Sequence, residues 1–403
     1  MRDWLAPREL SYLARRARSL TKRYGFSSGR ARRRIDDCVE MLASQGCMPT
    51  FMVPGRVVET HPAYLRSLVH RGVELALHGF DHVDFRTLSP AAIVRQFERS
   101  ADAFDRAGIP FRGFRCPYLS ATDELFRRVP RKLVAYSSNA AVSWPEAGVG
   151  HAGNAVLRQL EAFYSPSDAS TTIVVPFLRE GGLIELPCAL PDDIQLFDGL
   201  QVGERGLEEA WCRVLAAVHA RGELQVLLFH PELADRCRRA LSALLARARS
   251  LEPHVWVAPL HEVSAWWQER SQCTVTRALA PDGHLVFTLQ GSARANLVAG
   301  EVNGREIVLA PQPLPLVGIS AAVPSSTRSD LRNLGYVLEE VEPGSCAVLL
   351  DDVPVDHDLI HRLDQHQLVR VARWPDGAGA ALCVSGDLDA LSLVDYARRF
   401  SLR

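Results

Sequence analysis

From residue 49 to about residue 268 the chain repeats one pattern: a short apolar run, a polar or reactive residue at its end, then a stretch with helical spacing. The runs are PTFMVPG, VELALHG, FRGFRCPYL, LVAYSS, GLIELPCAL, LQVLLFHPE and HVWVAPL, and the helical stretches include HPAYLRSLVHRG and SPAAIVRQFERSADAFDRAG. Strands spaced by helices return through crossovers and pair in parallel, which predicts an α/β sheet or barrel. In such folds the site lies at the C-terminal ends of the strands. Several runs end in residues suited to catalysis, so their side chains are predicted to converge there.

The flanks read differently. Residues 6 to 46 have helical spacing, with Pro7 near a start and Gly46 where a helix C-cap would fall. The arginines of this stretch are interspersed with Asp36, Asp37 and Glu40, as on a solvated helix face. With a formal net charge of -1, the chain lacks the basic excess of a nucleic-acid binder, so no nucleic-acid partner is expected. No window approaches ~18 apolar residues, which argues against a membrane span. The N-terminus shows no signal-peptide pattern, and the nine cysteines form no CxxC pair. Together these predict a cytoplasmic protein with reduced thiols.

Residues 270 to 375 alternate with a period of two and contain the turn pairs Asp282-Gly283 and Asn303-Gly304, which predicts antiparallel strands. Helices are expected over Ser329 to Leu338 and Asp356 to Leu368. The predicted organisation is a main α/β part at 1–268, a small α+β accessory module at 269–376, and a C-terminal strand and helix at 377–403. In that last part AALCVSGDLDAL is an apolar run that breaks at Gly386 into Asp387 and Asp389.

Three motifs carry candidate chemistry. In VELALHGFDH a strand delivers His78, and His82 follows four residues later, so both imidazoles can face one metal ion if the chain turns helical. In RGFRCPYL, Arg115 is a permanent cation at a strand end, able to hold a carboxylate. In LQVLLFHPE, His230 leaves a buried strand before Pro231, placed to meet solvent or substrate. Taken singly, each has an ordinary reading as a surface or core residue. The rival HxxxH of His357 and His361, with His366 nearby, lies on an amphipathic helix with no strand end to converge on it. It reads as a solvated face.

In order and spacing, HGFDH, RCPY and LLFHP resemble the polysaccharide deacetylase family, the NodB-homology fold also called carbohydrate esterase family 4. PTFMVPG resembles the strand that precedes the histidine motif in that family. The likeness spans about residues 30 to 268, closing with WVAPLHEVSAWW. One part is displaced. The family begins with a strand ending in an acid pair, but LARRARSLTKRYGFSS contains no acid. Either that base and ligand have been lost, or GDLD at the C-terminus supplies them in a circularly permuted chain.

The resemblance implies a distorted (β/α) barrel in which Asp389, His78 and His82 hold a divalent metal, most often Zn²⁺. It further implies Asp387 as general base, Arg115 as its partner, a backbone N–H near Tyr118 for the oxyanion, and His230 as the acid for the leaving amine. Glu185, Asp192 and Asp193 are loose matches to further cleft residues: any of them could orient His230 or meet substrate, but an ordinary strand-end or turn acid is the reading the sequence favours. Tyr136, Ser137 and Trp144 could line a sugar site or, for the two aromatics, pack in the core. The implied activity is removal of an N-acetyl group from an amino sugar or related small conjugate, with a small molecule or oligosaccharide as partner. Hydrolysis of another amide or a cyclic imide, and a non-catalytic scaffold on the same fold, are the alternatives. Homo-oligomerisation is open, because the C-terminal strand could equally complete a neighbouring subunit.

Overall fold

A computed structural model describes residues 20–399 apart from 22, 130–131, 150–154, 180, 312, 341–345 and 351–353. The expected helical stretch before residue 20, with Pro7, lies outside the described residues. Helix α1 (Gly29–Ser44) buries Ile35, Cys38, Val39 and Leu42 on one face. Just beyond its end, Gly46 has a φ of +69°, the left-handed conformation that closes helices and suits glycine.

The strands of the main sheet are β1 (Thr50–Val53), β2 (Glu74–Leu77), β3 (Gly113–Phe114), β4 (Tyr136–Ser137), β5 (Ala141–Ser143), β6 (Ser167–Asp168), β7 (Phe177–Leu178), β8 (Ile184–Glu185), β9 (Cys188–Leu190), β10 (Leu224–Phe229), β11 (Val255–Val257) and β12 (Ala380–Asp387). Their order is β6-β5-β9-β10-β12-β1-β2-β3-β4-β8-β7, with β11 also on β12. Every pair is parallel except β7 with β8. Crossover helices α2 (Pro90–Ala107), α3 (Glu204–Arg221), α4 (Ala234–Ser250) and α5 (Leu260–Ser271) return the chain between strands. This curled, nearly all-parallel sheet with its crossover helices is the distorted α/β barrel expected from the sequence. Among the described residues no helix is long and apolar enough to cross a membrane.

The C-terminal strand sits in the middle of this sheet. Along one edge β12 pairs with β10 from Ala381 to Gly386; along the other, its first half pairs with β11 and its last residues with β1. All eight of its residues are buried, as expected of a strand covered on both faces. Within the described chain it therefore completes its own sheet. The strand does not break at Gly386 as the sequence suggested but runs on to Asp387. A Cβ on Gly386 would stand 2.7 Å from Cγ of Pro231, so glycine is needed for the close approach of the β10 exit, not for a turn.

Alternate residues of β12 face two cores. Leu382 and Val384 pack with Phe51, Phe229 and the helix layer, including Ile35 and Leu241. Ala381 and Cys383 join a second core that includes Trp266 of α5 with Phe287, Val317 and Trp374. The segment between β11 and β12 thus shares a core with the barrel. It forms a hairpin of Thr274–Leu279 with Leu285–Gln290, turning at Asp282-Gly283. A second hairpin, Leu297–Ala299 with Val302–Gly304, turns at Gly300. Asn303-Gly304 therefore lies within a strand, not at the turn.

Leu314–Ile319 departs from the antiparallel expectation and pairs in parallel with Leu338–Glu340 and Cys346–Leu350. The helices are Ser325–Asn333 and His357–Asp364, shorter than predicted, and Leu338 starts a strand instead of ending a helix. Gly335, with a φ of +97°, turns the chain between that helix and that strand.

Candidate metal centre and the cavity above it

The parallel register delivers the motif residues to one end of the sheet. His78 N–H bonds to the Val53 carbonyl and Arg115 N–H to the Leu77 carbonyl, so each follows the end of a strand. Asp387 is level with Met52, and His230 directly follows β10.

The His78 ring is fully buried, and its Nδ1 lies 2.8 Å from the carbonyl oxygen of Arg115. A carbonyl only accepts, so Nδ1 carries the proton and Nε2 presents a lone pair. That lone pair faces Asp389 Oδ1 at 3.5 Å and Asp387 Oδ2 at 3.8 Å. Both His78 Nε2 and Asp389 Oδ1 are buried without a hydrogen-bond donor. His82 Nε2 lies 2.8 Å from the same Asp389 oxygen. Ligand atoms of His78, His82 and Asp389 all fall within 4.8 Å of one another. Buried acceptors crowded together without a donor fit a cation held between them.

On its outer side His82 meets an arginine. Arg399 Nη1 stands 3.1 Å from His82 Nδ1, and Nη2 of the same side chain donates to the Asp389 carbonyl. Burial and the Arg399 charge push His82 down to about 4. Burial opposes a charged Asp389, yet His82 and Arg399 hold its carboxyl well below the usual range. Arg23 donates to Asp389 Oδ2 at 3.2 Å while gripping buried Glu232 at 2.6 Å.

Arg115 is fully buried and donates to Asp387 Oδ1 at 2.8 Å. Its other donors meet the Ser138 carbonyl and hydroxyl and the Ser385 hydroxyl, so the guanidinium is fixed in place. Tyr118 follows with a φ of +59°, an uncommon conformation for a residue with a side chain. Its ring centroid lies 5.0 Å from that of His82. His82 itself has a φ of +54°, so backbone strain is concentrated at the centre.

His230 is oriented by Asp193, which accepts from Nδ1 at 2.7 Å and from the backbone N–H at 3.0 Å. Burial works against a charged imidazole here, but the charge and hydrogen bond of Asp193 override it and raise His230 to about 9. Burial lifts neighbouring Asp192 to about 7. Asp387, Asp389, His82, His230, Tyr118 and Asp192 open on one cavity of about 790 Å³.

The loosely matched residues separate. Glu185 accepts from the backbone N–H groups of Asn139 and Ala140 and from Arg179, buttressing the loop that carries Ser138. It neither touches His230 nor lines the cavity. Tyr136 donates to Glu74, Ser137 to Glu185, and Trp144 packs in the core; none of these lines the cavity. His357 is held by Glu223 at 2.8 Å and by the Ser170 carbonyl, while His361 is exposed. Arg23, Glu232 and Arg399 carry no sequence signal of their own. Glu232 has only its place two residues after His230.

The profile of the polysaccharide deacetylase family matches residues 26–134, which span α1, β1, β2, β3 and both the HGFDH and RCPY motifs. It is this segment, and not the whole chain, that matches the polysaccharide deacetylase family. Solved structures similar to the chain include a Mycobacterium smegmatis protein assigned as a polysaccharide deacetylase, 21% identical, covering 60% of this chain and 78% of that one at a TM-score of 0.47. A Pseudomonas aeruginosa PAO1 protein assigned to the same class is 14% identical, covering 58% and 72% at 0.45. PuuE allantoinase is 14% identical, covering 57% and 70% at 0.43. No curated protein is a significant match to the chain. The deacetylase segment supplies His78, His82 and Arg115, whereas the acids facing them come from β12, some 250 residues beyond the match.

Proposed function

We propose that the protein is a metal-dependent hydrolase that removes an N-acetyl group from an amino sugar or a related small conjugate. The observation that carries this reading is the convergence of buried, donorless His78 Nε2 and Asp389 Oδ1 with His82 on one point. Asp389, His78 and His82 are the residues to hold a divalent ion such as Zn²⁺, which when bound supplies Lewis acidity toward a carbonyl and water. In this account β12 is the family's acid-bearing first strand, moved to the other end of the chain by circular permutation. Its support is the central place of β12 between β10 and β1.

The chain's own residues have the chemistry for the proton transfers. Asp387, fixed by Arg115, accepts a proton from the attacking water. A backbone N–H at Tyr118 faces the oxyanion that develops. His230, protonated near neutral pH because of Asp193, gives its proton to the departing amine. Without that proton the amine is too poor a leaving group to depart.

One observation favours the non-catalytic alternative. Arg399 and Arg23 already place cations against His82 Nδ1 and Asp389 Oδ2, on the far side of the ring and carboxylate from the point where a metal ion would go. Acetate release from a panel of N-acetylated sugars, nucleotide sugars and cyclic imides, measured with and without added Zn²⁺, separates the readings. Release from an acetamide supports the deacetylase, opening of an imide alone supports the alternative amidase, and no turnover of any member supports the scaffold.

A further inference from the structure

The cavity above the centre is rich in arginine: Arg23, Arg30, Arg34, Arg236 and Arg399 all line it. Arg23 is tied to Glu232 and Asp389, Arg34 to Asp235 at 2.8 Å, and Arg399 to His82 and the Asp389 carbonyl. Arg30 and Arg236 are different. Among the described residues neither has a carboxylate partner, and Arg236 only stacks on Phe197, its guanidinium carbon 3.7 Å from the ring centroid. Arg30 lies in the first turn of α1 and Arg236 in the first turn of α4. The Arg34–Asp235 ion pair joins these two helices one turn past Arg30 and one residue before Arg236, so Arg30 and Arg236 lie on adjoining parts of the cavity wall.

The acids on the wall do not neutralise these two arginines. Asp192, Asp387 and Asp389 are buried, the last two paired with Arg115 and Arg23, and Asp198 is the one exposed carboxylate among the lining residues. A neutral glycan can accept hydrogen bonds from guanidinium groups but leaves their charge unmatched, whereas a phosphate or carboxylate is bound by their N–H forks with both charge and geometry. A cavity of about 790 Å³ also has room beyond a single acetamido group and its sugar ring.

We propose that the substrate carries an oxyanion, phosphate or carboxylate, in addition to its N-acyl group, and that Arg30 and Arg236 bind it at the rim of the cavity. This rests on the deacetylase reading for the identity of the N-acyl group but not for the presence of the anion site.

Calorimetric titration of the full-length, metal-free protein with N-acetylglucosamine 1-phosphate, N-acetylglucosaminuronic acid and neutral N-acetylglucosamine tests it. At least one anionic ligand is expected to bind about tenfold or more tightly than the neutral sugar, one charge-assisted contact being worth roughly that factor. In the Arg30→Gln/Arg236→Gln double variant, checked for an unchanged melting transition, the ratio falls to near one. Which anionic ligand leads tells phosphate from carboxylate. A ratio near one in the wild type, or one that survives in the folded double variant, overturns the proposal. Acetate release is scored separately. A preference for the anion without any turnover leaves the anion site standing and counts against the deacetylase, while turnover of the neutral sugar with no preference does the reverse.

Discussion

Arg399 points Nη1 at Nδ1 of His82 from 3.1 Å. A guanidinium has donors only, so His82 accepts at Nδ1 and, when neutral, carries its proton on Nε2, without forming a hydrogen bond to Asp389 Oδ1. A metal ion bound at Nε2 requires the opposite tautomer, whose Nδ1–H would meet the arginine donor head-on. Arg399 and the ion therefore compete for the state of one ring. Arg399→Ala is expected to tighten Zn²⁺ binding by about tenfold, the low end of effects from groups that orient metal ligands. Competition against a chromogenic chelator measures it, and unchanged or weaker affinity contradicts this role for Arg399.

Arg115 and Asp387 form a buried ion pair 272 residues apart in sequence. Removing the cation strands a carboxylate in the interior, which typically costs about 3–5 kcal/mol. Urea unfolding of Arg115→Ala is expected to show a loss of that order, and adding Asp387→Asn to recover part of it. A double variant no more stable than Arg115→Ala would show that the charge is not the cause.

His230 gives the fold a pH dependence with a definite sign. Its pKa in the folded protein, about 9, lies above the ordinary histidine value of about 6.5. The stabilisation from its bond to Asp193 is thus fully present below about pH 6.5 and is lost as the pH rises through 9. In Asp193→Asn this slope between pH 6.5 and 9 should flatten, and the NMR titration of the His230 ring should move to lower pH. A wild-type ring that titrates near 6.5 would refute the assignment.

Gly386→Ala sets a Cβ within 2.7 Å of Pro231 and 3.1 Å of Phe51, in a strand whose neighbours are fixed on both edges. Overpacking of this kind costs about 1–3 kcal/mol. A melting temperature equal to that of the wild type would mean that the β10 exit yields more readily than its packing suggests.

The residues that were legible in the sequence are those whose signal is local. His78, Arg115 and His230 each follow an apolar run, and a parallel sheet places all strand ends on one side whatever the pairing order. Asp387 and Asp389 were legible only through the gap they fill, since nothing near GDLD says that β12 belongs between β10 and β1. The companions of the centre were not legible. Arg23 and Glu232 meet across 209 residues, and Arg399 and His82 across 317, and such pairs are made by tertiary packing alone. Of the arginines in the N-terminal stretch, Arg23, Arg30 and Arg34 line the cavity, which is not legible because charge spacing cannot tell solvent from the rim of a polar cavity. Glu185 reads in sequence as a strand-end acid with a cleft role left open, because the strand-end pattern does not reveal which way a short, two-residue strand turns its last side chain.

The central claim is that His78, His82 and Asp389 together hold one divalent ion. Elemental analysis of the purified protein, with His82→Ala and Asp389→Ala prepared in parallel, tests it most directly. The expected result is about one equivalent of divalent metal per wild-type chain and a small fraction of that in each variant. Equal metal content in all three proteins would contradict the account.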